Sequence, residues 1–295
     1  MYSYKLNRLA KNTIEIVVDV PKNTIEEKYK TAFSNLLQNL QVQGFRKGKV
    51  PAKIAEKHIK KEKIYEELIR IYFPQIYEDI IRKESLKPII SPKIELVNAK
   101  EMEDWQIKIS VAEKPTITLG EYKDIVKKIK AEQKKSDIWT PGQQSLTDQT
   151  QQISEKEKAR RQQELLNQIL SAILKSVKCE ISDLVIDEEL NHRLSNLLTD
   201  IQKIGLNVDS YLKSKNLTQE QLKKQYKEEI EQTYKLEFIL SELADKESIK
   251  VEQSDLDKLF ASISDPKEKE LAKSNSYFYA SVLRKQKTID YLLSI

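Results

Sequence analysis

Residues 12–40 read NTIEIVVDVPKNTIEEKYKTAFSNLLQNL, and the change of period within this stretch decides the fold of the first part of the chain. Ile14, Ile16, Val18 and Val20 follow the two-residue repeat of a strand that buries one face. Pro21 ends that run, since a proline has no amide to give a strand ladder. Beyond it Ile25, Tyr29, Phe33, Leu36, Leu37 and Leu40 recur at helical spacing, which predicts a helix over 23–42.

The pattern extends in both directions. Tyr2, Tyr4 and Leu6 predict a partner strand before residue 12. Ile64, Leu68, Ile71, Tyr72, Ile76 and Ile80 mark one face of further helix from 52 to 84, which Pro74 is expected to break or kink. Residues 88–97 are apolar with prolines at the edge, and Trp105, Ile107, Ile109 and Val111 alternate, so two more strands follow. Strand, strand, helix, helix, strand, strand is the order of one α+β domain spanning 1–115.

Residues 116–153 read as a linker. Lys127, Lys128, Lys130, Lys134 and Lys135 give way to Ser, Thr, Gln, Pro and Gly around 139–152, where no period survives. Trp139 is the exception, and it is expected to dock on a neighbouring domain rather than to bind a ligand. From Ser154 the pattern is helical. Ser154 with Glu157 fits a capping box, and Leu165, Leu166, Ile169, Leu170, Ile173, Leu174 and Val177 form the stripe behind it. A second helix carries Leu190 to Ile204 and stops at Gly205; Thr218 with Gln221 opens a long third. A shorter helix begins near Ser254, and Asp265-Pro266 starts a last one running nearly to the terminus. These predict an extended, antiparallel all-α domain over 154–295 and a chain that is predominantly helical overall.

Composition agrees. Of 295 residues 33% are charged and only 5 are Gly and 8 Pro, which suits helices and disfavours a turn-dense β fold. One cysteine, Cys179, allows no intrachain disulfide, and His58 and His192 lie far apart, so no metal and no cofactor are expected. Charges interrupt every apolar run well short of a membrane span, and residues 1–20 lack a leader's apolar core; the expectation is a soluble, cytoplasmic protein with no membrane partner.

The charge is unevenly placed. Residues 1–115 hold 22 Lys and Arg against 16 Asp and Glu, whereas the remainder holds 29 against 30. Within 44–63 stand Arg46, Lys47, Lys49, Lys53, Lys57, Lys60, Lys61 and Lys63 against Glu56 and Glu62 alone, a patch suited to steering a polyanion such as ribosomal RNA. The patch opens with Gly44-Phe45-Arg46-Lys47-Gly48-Lys49-Val50-Pro51. Two glycines four residues apart permit a tight loop that projects an aromatic ring between cations, and Pro51 preorganises the next helix. Phe45 can fill an apolar pocket, worth about 1.5–3 kcal/mol if fully buried, while Arg46, Lys47 and Lys49 contact phosphates or carboxylates. The alternative is a solvated basic turn whose phenylalanine folds back on its own domain.

That octet matches the ribosome-binding signature of bacterial trigger factor, and the resemblance runs further. The strand-strand-helix start, the stretch from Pro88 to Pro92, and Pro115 with Leu119-Gly120-Glu121-Tyr122 look like that family's N-terminal domain entering its linker. Residues 154–295 are similar, by pattern rather than motif, to its C-terminal chaperone domain. The resemblance implies a ribosome-associated chaperone that holds nascent or unfolded polypeptides at the tunnel exit of the large subunit. Phe45, Arg46 and Lys47 would contact a ribosomal protein and neighbouring rRNA, with Gly44, Gly48, Lys49, Val50 and Pro51 shaping the loop; a homodimer of the free protein is also entertained. Family members commonly insert an FK506-binding-type prolyl isomerase domain of roughly a hundred residues after the linker. Residues 123–153 are too few for one, so no isomerase activity is carried over. The competing expectation is an RNA-binding or ribosome-assembly factor that holds no client.

No residue pattern suggests catalysis. The sequence has no nucleophile elbow, phosphate-binding glycine loop or HExxH motif. The carboxylate pairs Glu66-Glu67, Glu188-Glu189 and Glu228-Glu229 lie on predicted helices among lysines, and read as solvated faces. Cys179 reads as a structural or exposed thiol and His192 as a surface residue. Client contact is sought in Leu165 to Val177 and in Tyr277, Phe278, Tyr279, Val282 and Leu283, against the reading that these pack helix on helix.

Overall fold

The computed structural model describes residues 2–100, 103–136 and 155–295. The chain divides into two compact units: 1–114 with 182–188, and 115–181 with 189–295.

The first unit is α+β. β1 (Ser3–Arg8), β2 (Thr13–Val20), β3 (Lys93–Asn98) and β4 (Trp105–Ala112) form an antiparallel sheet in the order β1-β2-β4-β3. The β2 alternation sets the register: Ile14 faces Val111, Ile16 faces Ile109, Val18 faces Ile107 and Val20 faces Trp105, all buried. Behind them stand α1 (Lys22–Asn39) and α3 (Lys61–Lys83), whose Ile25, Ala32, Leu68, Phe73 and Ile76 complete one core. The opposite sheet face is polar, with Lys108 paired to Glu15 and Gln106 donating to Asp19 at 2.9 Å. Tyr4 Oη donates to Glu84 at 2.6 Å and Tyr2 Oη to Asp79, tying β1 to the end of α3.

Three details differ from expectation. The helix foreseen over 52–84 is two helices, α2 (Ala52–His58) and α3, parted at Ile59 and Lys60, which take extended backbone. Pro74 breaks nothing: it sits inside α3 on an exposed face, where water can satisfy the carbonyl of Arg70 that it leaves without an amide. The strand foreseen over 88–97 begins only at Lys93, because Pro88 and Pro92 have no amide for a ladder and Pro88 makes a single bridge, to Glu113.

The second unit is helical: α4 (Tyr122–Ser136), α5 (Glu155–Ser176), α6 (Asp183–Lys203) from Glu189 onward, α7 (Val208–Lys215), α8 (Gln219–Lys246), α9 (Gln253–Ala261), α10 (Pro266–Ser274) and α11 (Ser276–Ser294). Within the stretch foreseen as a linker, residues 122–136 are helix, and Leu119, Tyr122 and Val126 are buried in one cluster with Ile169 and Ile173 of α5. Trp139 and the expected cap of Ser154 with Glu157 lie outside the described residues. The cap of Thr218 with Gln221 is present in both directions, at 3.2 and 2.9 Å. Asp265 caps Pro266 as expected, but the helix it starts ends at Ser274 and α11 begins afresh at Ser276.

Glu247, just past α8, gathers three elements. Its carboxylate accepts from Tyr122 Oη and Tyr291 Oη, each at 2.5 Å, and pairs with Lys123 at 2.9 Å. Those donors, Tyr122 foremost, hold its pKa down at about 2, below the ordinary carboxylate value. A depressed folded-state pKa adds stability above the unfolded value of ~4.3, lost as pH falls towards 2. Glu247→Gln is therefore expected to cost about 1–3 kcal/mol at pH 7. In urea titrations the gap from the parent chain should close between pH ~4.3 and 2.

Candidate functional site

The octet 44–51 forms the connection between α1 and α2, and the chemistry of its residues explains its shape. Leu40 ends α1 in extended backbone, and Leu40 and Val42 pack against the first core. On the far side Val50 is 3% exposed in that same core. Pro51 caps α2, its carbonyl accepting from Ile54 and Ala55 at 2.9 and 3.0 Å. Between these anchors the amide of Phe45 donates to Val42, that of Gly48 to Leu40 and that of Lys49 to Arg46, at 3.1, 3.1 and 2.9 Å. The loop is thus closed by its own backbone, and Gly44 to Lys47 stand outside it.

The two glycines do different work. Both are left-handed, Gly44 at φ +89° and Gly48 at φ +73°. A Cβ on Gly44 would meet nothing within 4 Å, whereas one on Gly48 would lie 2.7 Å from the carbonyl oxygen of Gln38 in α1. Gly44→Ala bears only the backbone strain, about 1–2 kcal/mol, but Gly48→Ala must also push the loop off α1. In urea denaturation Gly48→Ala is expected to be the worse by about 1–3 kcal/mol. Equal losses would show that the loop does not rest on α1.

Phe45 is 38% exposed, and Arg46, Lys47 and Lys49 are exposed around it. Phe45 is thus partly open to solvent and partly covered by its own chain. Lys53, Lys57, Lys60 and Lys63 are exposed on α2 and the start of α3. Among the described residues no carboxylate stands within ion-pair distance of any of these seven cations.

Other candidates resolve into structure. Glu67 is held by Arg70, Nη2 to Oε1 at 2.6 Å, and Glu189 by Arg193 at 3.2 Å, which also reaches Glu229 at 3.7 Å. Cys179 is buried, and burial pushes its thiol pKa up, away from the reactive thiolate. His192 is exposed. Among the described residues no cluster of three metal-ligating side chains occurs, and no helix is long and apolar enough to cross a membrane.

The helical unit separates its candidates. Ile169, Ile173 and Val177 are core, which removes the inner face of the Leu165 to Val177 stripe from any client surface. Tyr277 is 89% exposed, and Phe278 and Val282 are exposed beside it, while Tyr279 and Leu283 pack on Phe260 and its neighbours. Sequence reading missed Leu198, Ile204, Leu206 and Leu271, all exposed. Leu198 and Ile201 also line a groove of about 290 Å³ with Tyr211 and Leu222. The available signal was Ile204 and Leu206 flanking Gly205, apolar residues where a helix stops.

Two family models cover nearly the whole chain. Bacterial trigger factor protein matches residues 2–140, and bacterial trigger factor protein C-terminus matches 145–294, leaving only residues 141–144 between them. Trigger factor of Natranaerobius thermophilus is 31% identical over 132 residues, 44% of this chain and 30% of that protein. Trigger factor of Lactococcus lactis subsp. cremoris (strain MG1363) is 30% identical over 135 residues, 46% of this chain and 31% of that protein. The matched region spans less than a third of either relative. A solved structure of the trigger factor chaperone, described for promiscuous substrate recognition in folding and assembly activities, aligns over 98% of this chain and 99% of that one. Its TM-score is 0.62 at 15% identity, a likeness of fold.

Proposed function

This chain belongs to the bacterial trigger factor family, and from that premise we propose that it is a molecular chaperone, docked by residues 44–51 at the tunnel exit of the large ribosomal subunit, that holds nascent polypeptides in the cytoplasm. The observation that carries the reading is the loop itself: a partly exposed phenylalanine followed directly by exposed Arg46 and Lys47, on a frame anchored in the core at both ends. A large apolar ring kept in water costs free energy unless a partner covers it, and the flanking cations select a partner rich in phosphate or carboxylate.

Holding needs no catalytic group. It needs apolar surface left partly uncovered and rimmed by charge, so that many weak contacts form and release. Tyr277, Phe278 and Val282 on α11 and Leu271 on α10 supply such surface, and favour a chaperone over an RNA-binding or assembly factor without a client. Tethering at the exit raises the local concentration of each emerging segment, so modest affinity suffices. The family matches meet within residues 141–144, in keeping with a member that has no isomerase domain between them.

The test is a photo-crosslinking amino acid at position 45, irradiated with purified large subunits. Crosslinks to a ribosomal protein and adjacent rRNA are expected. Crosslinks confined to the chain itself would overturn the docking assignment. Suppression of aggregation of an unfolded protein checks the holding activity, and its absence would leave the assembly-factor reading.

A further inference from the structure

We infer that the outer face of α2 and the start of α3 form a second contact, a track of lysines that takes the phosphate backbone of RNA beside the Phe45 loop; it rests on the docking reading and extends it. The track is Lys53 and Lys57 on α2, Lys60 at the joint between the helices, and Lys63 in the first turn of α3. All four are exposed and none has a carboxylate within ion-pair distance among the described residues. Five other lysines of this unit are paired, Lys22 with Glu26, Lys28 with Glu27, Lys83 with Asp79, Lys93 with Glu95 and Lys108 with Glu15, whereas these four stand together on consecutive turns at one joint.

The fold gains no ion pair from these four charges, and only Lys57, in the last turn of α2, is favoured by a helix dipole. Ala55 and Ile59 turn into the core, and Lys53 and Lys57, one helical turn apart, share the opposite side of α2. Lys60 and Lys63 sit at the N-terminal end of α3, which has no side-chain cap and where the helix dipole opposes positive charge. A local rule broken without structural return marks a surface kept for something else. Repulsion among unmatched cations is relieved when an anionic partner arrives.

The chemistry selects RNA backbone rather than an acidic protein. A protein interface has an apolar centre, and this face has none: Lys53, Glu56, Lys57, His58, Lys60 and Lys63 are all exposed and polar. α2 carries no Phe, Tyr or Trp, so base stacking contributes at most through the His58 imidazole. Lysine ammoniums are hydrated point charges suited to phosphates without regard to sequence, unlike the planar fork of arginine. The loop then supplies an apolar anchor, and the track an electrostatic term that salt removes.

The test is the salt dependence of full-chain binding to large subunits, and to a short RNA duplex of arbitrary sequence. The variant Lys53→Gln/Lys57→Gln/Lys60→Gln/Lys63→Gln keeps helix-forming side chains, and unchanged circular dichroism and melting show that it folds. Its slope of log K against log salt is expected to be shallower than the parent's by about 3–3.5, at about 0.7–0.9 for each of the four lost contacts, with duplex binding lost as well. An unchanged slope would overturn the track, as would parent binding to poly-glutamate equal to that for the duplex. Phe45→Ala separates the two readings: it should weaken subunit binding at an unaltered slope, and no weakening would defeat the docking assignment while the duplex result still judges the track.

Discussion

With Phe45, Arg46 and Lys47 all replaced by Ala, the chain is expected to stay in the supernatant when ribosomes are pelleted, under conditions where the parent co-sediments. Burying the Phe45 ring in a pocket contributes about 1.5–3 kcal/mol, and each charge-assisted hydrogen bond from the cations about 1.5 kcal/mol or more. Even after discounting for non-additivity, the loss corresponds to at least about 100-fold in affinity. The fold should be indifferent, because all three side chains are exposed and the anchors Leu40, Val42 and Val50 are untouched. Full retention in the pellet would mean that another surface docks.

Leu68→Ala is the change expected to cost the first unit most among single truncations of aliphatic residues. Leu68 lies at 1% exposure in the core between α3 and the sheet, among Ile16, Ile107 and Phe73 in one continuous cluster. Losing its three carbons forfeits transfer free energy and leaves a cavity that a helix-on-sheet layer cannot collapse, about 2–5 kcal/mol in all. Trp105 reports on it directly, buried in the same cluster with its ring 5.4 Å from Tyr65. In a Trp139→Phe background its emission follows this unit, and the urea midpoint should fall by about 1–3 M. A shift of a few tenths of a molar would show that the core repacks around the loss.

How far residues alone led depended on whether a signal was local. β2 and β4 were legible because every second residue from Ile14 to Val20 and from Trp105 to Val111 is apolar and buried. α4 was hidden because its buried residues, Tyr122 and Val126 with Ile129 packed beside them, are few among its lysines, and their burial is decided by partners on other helices such as α5 and α11. The end of α10 at Asn275 was missed although Ser274, Asn275 and Ser276 are residues that favour caps and turns over helix interiors. In the loop the composition announced a surface site, yet Phe45 and Val50 are both apolar within six residues. That one faces solvent and the other the core follows from where α1 ends and α2 starts, which neither residue states.

The chain's sole thiol also settles how this protein can be instrumented. Cys179 is shielded and its proton held tightly, so maleimide should find it slowly in the native state. A cysteine placed at position 45 would be dyed selectively without first deleting the natural one. Fluorescence could then watch the loop meet its berth in real time.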